Sequence, residues 1–328
     1  MKAFAVAPAK VILTGEHFVV YGVSAIVGAV NIHSRATVSW RRDGRIAATS
    51  SPVRYAASFV DEHSNALQGG RTAQTLLQPI CRAALSVLEQ FASRRQGLNV
   101  HIHSDIPVGV GLGSSAAVAV STIAATMRLL RRKLNREVII RLAFDSERLV
   151  HGIPSGIDQT ISTFGGVIIY KKEKPFQRLP LRHGFPIIVG NTGRIRSTGT
   201  IVSKVRAFLA ERDRLAQQIM RSAESISRRA SAALRRGDIR KLGELMNQNH
   251  ELLRQIEVST RQLDRLVMAA QEAGAFGAKL TGAGGGGCMI AVVSPDHTRN
   301  VMQAIKAAGG TPYLVNVEEK GVRAWLLR

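Results

Sequence analysis

The segment Pro107-Val108-Gly109-Val110-Gly111-Leu112-Gly113-Ser114-Ser115-Ala116-Ala117 constrains this chain more than any other. Before it, Leu98 to His103 alternates as a strand, with Leu98, Val100 and Ile102 on one face. After it, Ser114 to about Leu130 is apolar almost throughout, which predicts a long buried helix. Glycines between a strand and a helix let the backbone turn tightly and approach a ligand closely. The first N–H groups of such a helix have no partner within it, and its dipole favours an anion there. Ser114 and Ser115 add hydroxyls, either as caps or as ligands to a phosphate-bound cation. The plainer alternative is a tight turn and N-cap packed with small residues. The common P-loop is excluded, because no Lys follows Gly113. A dinucleotide fingerprint is excluded too, since no repeated strand–helix–strand pattern with a following acid accompanies the turn.

Three further segments carry chemistry. Lys279-Leu280-Thr281-Gly282-Ala283-Gly284-Gly285-Gly286-Gly287-Cys288 places five glycines in six positions between two apolar strands. A hairpin needs one or two, so the excess points to backbone packed on a ligand or another loop. Near the start, Pro8-Ala9-Lys10-Val11-Ile12-Leu13-Thr14-Gly15-Glu16-His17 sets Lys10 in an apolar, strand-like run. Lys10 either snorkels to the surface or serves a site, and Glu16-His17 reads as a polar turn. Finally, His151-Gly152-Ile153-Pro154-Ser155-Gly156-Ile157-Asp158-Gln159 reads as an irregular loop with Asp158 as its one acid, serving either turn hydrogen bonds or chemistry. Glu147, just upstream, is either a cation ligand or an exposed partner for Arg148 or Arg141.

The organisation around these segments is mixed. Strands are expected over Ala25 to Ile32, Ala36 to Trp40, Val167 to Tyr170 and Pro186 to Gly190, with helices over Thr72 to Arg95 and Arg136 to Val150. Ser50 to Gly70 is polar and reads as a loop. From Ile201 to about Ala273 the sequence is helical, broken at Gly237-Asp238, and it ends in strands around one helix from His297 to Ala308. At roughly 100–200 residues per domain, a chain of 328 residues suggests two, and the change of texture puts the boundary near residue 190, giving domains 1–190 and 191–328.

Composition narrows the class. With 45% hydrophobic and 21% charged residues the chain is neither disordered nor collagen-like, coiled-coil or disulfide-scaffolded. The two cysteines, Cys81 and Cys288, form no metal cluster, and a reducing, cytoplasmic compartment follows. No apolar run reaches the roughly 20 residues of a membrane span, and Met1-Lys2-Ala3-Phe4 runs into strand without a signal peptide. The 45 Lys and Arg outnumber the 23 Asp and Glu for a formal charge of +22. These cations are scattered as pairs such as Arg228-Arg229 and Arg235-Arg236, without interleaved aromatics, so the charge reads as anionic substrates or simply a basic proteome, and neither nucleic acid nor membrane is expected as partner.

Together the motifs resemble those of the GHMP small-molecule kinases, and within them the mevalonate branch. Pro8 to His17 continuing as Phe18-Val19-Val20-Tyr21-Gly22, Gly111 to Ala117, and Lys279 to Gly287 fall in the order of the three family motifs, and His-Gly-x-Pro-Ser-Gly-x-Asp at His151 to Asp158 points to that branch. The resemblance spans nearly the whole chain. It implies a two-domain α/β (α+β) fold: an N-terminal mixed domain carrying the phosphate loop and a helix-rich, ferredoxin-like C-terminal domain. It implies ATP as co-substrate, Mg²⁺, and phosphorylation of the 5-hydroxyl of (R)-mevalonate in isoprenoid biosynthesis. A homodimer is consistent with it.

By this resemblance Pro107, Gly109, Gly111, Leu112, Gly113, Ser114, Ser115 and Ala116 cradle the ATP phosphates, and Ser115 with Glu147 holds the cation. Asp158 is the general base, and Lys10 orients it and lowers the hydroxyl pKa. Glu16, His17, Arg196, Thr198 and Gly284 lie on the acceptor side, with His17 and the planar fork of Arg196 suited to a carboxylate. The third motif would pack on the phosphate loop and exclude water. Ala9 and Phe18 depart from common family residues, and Phe18 would narrow the acceptor side. The rivals are another GHMP kinase (mevalonate 3-kinase, phosphomevalonate kinase or sugar kinase) and a non-catalytic basic binding protein.

Overall fold

The computed structural model describes residues 1–51, 55–59, 70–92, 96–107, 109–151, 155–194 and 198–327. Its first half alternates strands and helices: β1 (Lys2–Thr14), β2 (Ala25–Arg41), β3 (Ile46–Ser50), β4 (Tyr55–Phe59), α1 (Gly70–Phe91), β5 (Gly97–Ser104), α2 (Ser114–Leu129), α3 (Arg136–His151), α4 (Ile157–Phe164), β6 (Val167–Tyr170) and β7 (Gln177–Arg178). The second half is β8 (Pro186–Asn191), four helices α5 (Thr198–Glu211), α6 (Asp213–Arg236), α7 (Ile239–Gln255) and α8 (Arg261–Glu272), then β9 (Gly277–Thr281), β10 (Cys288–Val292), α9 (Thr298–Ala307), β11 (Thr311–Asn316) and β12 (Arg323–Leu327).

Two sheets result. The larger runs β12-β1-β2-β5-β3-β4, with β6 also pairing β2 and β7 pairing β6. The smaller runs β11-β8-β10-β9, antiparallel throughout. With helices in the β8–β9 connection and α9 between β10 and β11, this is the ferredoxin-like arrangement expected. The boundary near residue 190 falls within β8, and the last strand, β12, leaves the second half to pair with β1.

β1 explains how the site is assembled. Ala3, Ala5, Ala7, Ala9, Val11 and Leu13 alternate onto one face and are buried in the main core, against which α2 packs. The other face carries Lys10 and Ile12. Ile12 joins Ala25, Val27 and Ala29 of β2 and Ile157 and Ile161 of α4 in a second, smaller cluster. Lys10 therefore points to the side on which α4 docks. Ser162 of α4 fixes that docking by donating to the Pro8 carbonyl at 2.8 Å.

Two expectations are corrected. The polar stretch after Ser50 contains β4, which pairs antiparallel with β3. Asp158 does not sit in an irregular loop: it occupies the first turn of α4, straight after Gly156, where a helix dipole favours a carboxylate. α4 was hidden because its eight residues hold no long apolar period and follow a Pro-Gly-rich stretch.

Candidate active site

The glycines of the loop before α2 turn the backbone into left-handed conformations. Gly109, Gly111 and Gly113 all have positive φ, and Gly113 is the N-cap of α2 in left-handed conformation, with no side chain capping the helix. Leu112 and Ala116 are fully buried, so what they offer a ligand is backbone; Gly111, Ser114 and Ser115 are half-buried and Gly109 is exposed. The loop is tied to β1, because the Lys10 N–H donates to the Leu112 carbonyl at 2.9 Å.

That tie brings three expected residues together. Lys10 Nζ lies 3.1 Å from Asp158 Oδ1. A Cβ on Gly113 would stand 2.8 Å from Lys10 Cγ and 3.5 Å from Asp158 Oδ2. The turn into α2 thus abuts both members of the pair, and Oδ2, the oxygen not bound by Lys10, faces the turn. Tyr170 steadies the start of α4 by donating to the Ser155 carbonyl at 2.6 Å.

Beside them, Ser115 Oγ donates to Glu147 Oε1 at 3.2 Å. Glu147 is nearly fully buried. Burial pushes its carboxyl up to about 8, Asp158 pushes the same way, and Ser115 and Lys10 oppose them only in part. A carboxylate so placed lacks positive charge.

The turn after β1 is built into the second half of the chain. Gly15 N–H donates to Asn249 Oδ1 at 3.2 Å, and Thr14 and Ser227 hydroxyls lie 3.0 Å apart. Glu16, expected beside the acceptor, is buried: its carboxylate bonds Lys279 Nζ and accepts from Asn249 Nδ2 at 3.2 Å. His17 is half-buried with φ 59, and its Nε2–H donates to the Ala283 carbonyl at 2.9 Å. Phe18 is fully buried in the main core, so it anchors the turn and does not narrow a pocket. The third glycine loop packs on the α7–α8 turn, on α5 and on Arg194. A Cβ on Gly284 would stand 2.1 Å from the Val258 carbonyl oxygen. Gly285 N–H donates to that oxygen at 2.8 Å, and Gly287 N–H donates to the Arg194 carbonyl at 3.0 Å. Its described link to the phosphate loop runs through His17 and β1.

Family comparison decides the lineage. The model for the GHMP kinases N-terminal domain matches residues 79–166, and that for the GHMP kinases C-terminal region matches residues 230–311. The chain belongs to the GHMP kinase family. Mevalonate kinase of Pyrococcus abyssi is 41% identical over 326 residues, covering 97% of this chain and 96% of that one. Mevalonate kinase of Aeropyrum pernix is 34% identical over 325 residues, 98% of each. Among solved structures, L. major mevalonate kinase in complex with R-mevalonate aligns with TM-score 0.83 and 29% identity over 96% of each chain. Methanococcus jannaschii mevalonate kinase aligns with TM-score 0.83 and 27% identity over 96% of this chain and 98% of that one.

For a GHMP kinase the donor set at Ser115 and Glu147 fits Mg²⁺. The ion takes few protein ligands, prefers hard oxygens and fills its remaining positions with phosphate and water. A hydroxyl bonded to a buried, charge-starved carboxylate is such a pair. Among the described residues no cluster of three or more His, Cys, Asp or Glu offers an all-protein metal site. Arg196 lies outside the described residues, and Thr198 opens α5. Sequence reasoning missed Lys279 and Asn249, which bond the turn, and His250, which accepts from Leu280 beside them; the one available signal was a lysine between Ala278 and Leu280 in an otherwise apolar strand.

Proposed function

We propose that this GHMP kinase transfers the γ-phosphoryl group of ATP to the 5-hydroxyl of (R)-mevalonate, giving ADP and 5-phosphomevalonate for isoprenoid biosynthesis. The observation that carries the reading is the Lys10–Asp158 pair set against Gly113 at the N-terminus of α2. The kinship to mevalonate kinases supports the choice of acceptor.

The cradle from Pro107 to Ala116 binds the triphosphate by backbone N–H groups and the helix dipole. Ser115 and Glu147 would hold Mg²⁺, which neutralises charge on the β- and γ-phosphates when bound. Asp158 Oδ2 accepts the proton of the 5-hydroxyl while the hydroxyl oxygen bonds the γ-phosphorus. The bond from phosphorus to the β–γ bridging oxygen breaks, and ADP departs with its electrons. Lys10 holds Oδ1, so Asp158 keeps one orientation, and its ammonium stabilises charge on the transferring group. His17, Arg196 and Thr198 are assigned to the acceptor, Arg196 to its carboxylate, with Glu16 and Gly284 fixing the loops behind them. Arg196→Ala is expected to raise the mevalonate KM.

The compartment we propose is reducing and cytoplasmic, in keeping with Cys81 and Cys288, both buried and neither in a disulfide. No described helix is long and apolar enough to cross a membrane. A homodimer would use the outer strands β11 and β12, where Leu314 and Trp325 are exposed, and light scattering tests it.

The deciding experiment is an ATP-coupled assay of the purified chain against mevalonate, its phosphates, homoserine and galactose, with the product located by phosphorus NMR. Turnover on mevalonate with phosphate on the 5-oxygen is expected. Preference for any of the others, or phosphate on the 3-oxygen, overturns the assignment.

A further inference from the structure

Lys279 is the largest charged side chain that is fully buried among the described residues. It sits on β9, four residues before Ala283, and is fully buried. Burial of a lysine without compensation is costly enough to neutralise it. Here every proton of the ammonium has an acceptor: the Glu16 carboxylate, the Leu280 carbonyl at 2.6 Å and the Ile12 carbonyl at 3.5 Å. Two of those acceptors belong to the first motif and its strand, 263 and 267 positions away in sequence. The third belongs to the strand that leads into the third motif.

The residue next to Glu16 is the strained one. His17 has a side chain at φ 59, a region that is strained for a side chain and persists only where its surroundings dictate it. Its surroundings are the Glu16 bonds on one side, buried Phe18 on the other, and the Ala283 carbonyl at its tip. That carbonyl is placed by the same strand that carries Lys279. The ammonium therefore bonds Glu16, next to His17, and Leu280, three residues before Ala283.

We infer that Lys279 is a positioning residue for the acceptor side of the site: through Glu16 it holds the His17 imidazole in place against the third glycine loop. The inference rests on the mevalonate reading above, because the acceptor KM is its readout. Burial raises the Glu16 carboxyl and lowers the Lys279 ammonium, each opposed by the other partner, so the two charges depend on one another. Breaking one alone leaves the other stranded.

The test compares wild type, Lys279→Met, Glu16→Gln and the double variant Glu16→Gln/Lys279→Met, by thermal melting and by separate KM values for mevalonate and Mg-ATP. Wild-type turnover on mevalonate is measured first; its absence overturns the substrate reading and this inference with it. Given turnover, each single variant should lower Tm and raise the mevalonate KM at least tenfold, with the Mg-ATP KM within about twofold. The double variant removes both buried charges, so its Tm should recover most of the loss while the mevalonate KM stays high. A double variant with recovered Tm and wild-type mevalonate KM overturns the inference and leaves the substrate reading standing. So does a parallel rise of both KM values, or a double variant that does not fold, since the pair then serves folding alone.

Discussion

Lys10 and Asp158 meet across 3.1 Å from β1 and α4, two elements that share a small apolar cluster of their own and are pinned together by Ser162 on Pro8. The pair does not depend on a flexible loop. Its geometry is inherited from a strand face and a docked helix, and Gly113 closes it from the side of the phosphate cradle.

Asp158→Asn removes the proposed proton acceptor while keeping shape. General-base assistance is worth about 10²–10⁴ in rate, so kcat should fall by at least 10² with Mg-ATP affinity within a few-fold of wild type. The side chain is partly exposed, so melting should change little. Steady-state kinetics with calorimetric ATP titration checks this, and near-normal turnover would remove Asp158 from the mechanism.

Gly113→Ala puts a methyl group where none fits. The position has φ +75, which costs roughly 1–2 kcal/mol for a side chain, and the new carbon would press on Lys10 Cγ at 2.8 Å. Lys10 must shift away from Asp158 or the turn must open. We expect kcat/KM for ATP to fall at least tenfold, measured at saturating mevalonate.

The fold was legible where local pattern governs it. The helix expected from Ser114 is α2, and the strand Val167–Tyr170 is β6, because a nearly continuous apolar run marks each. What escaped depends on distant partners. β4 is a short strand stabilised by its β3 neighbour, and β12 is legible as a strand but not as a member of the first sheet. At the candidate site, Lys10, Asp158, Ser115 and Glu147 stood out in or beside motifs, and their pairing is what the structure adds. Glu16 was legible as an acid in a turn, yet its buried partner Lys279 lies 263 residues on, and no local rule connects them.

Ser115→Ala and Glu147→Gln should act on the nucleotide end alone. Each removes one hard oxygen ligand from the proposed cation pair, which is built on a 3.2 Å bond between them. The half-saturating Mg²⁺ concentration should rise about tenfold or more in both, and the mevalonate KM should stay near wild type. An effect confined to mevalonate would contradict the assignment.

His250 gives the molecule an acid-sensitive point behind the Glu16–Lys279 pair. Burial, aided by Lys279, lowers its imidazole to about 4, against the nearby Asp264 and Glu251. Neutral, its Nδ1 accepts the Leu280 N–H at 3.4 Å, while Nε2 lies 3.2 Å from Asp264 Oδ1. Protonation of Nδ1 would abolish that acceptor and set a second cation beside Lys279. With a folded value near 4 and an ordinary value of 6.5, the unfolded chain binds more protons between those limits, so stability rises with pH across the window. From pH 7.5 to pH 5 this one group should withdraw about 2 kcal/mol, and none of its penalty remains above pH 7. His250→Gln cannot charge, so its denaturant-unfolding free energy should fall less than that of wild type over the same range. Equal losses in the two proteins would show that His250 does not carry this dependence.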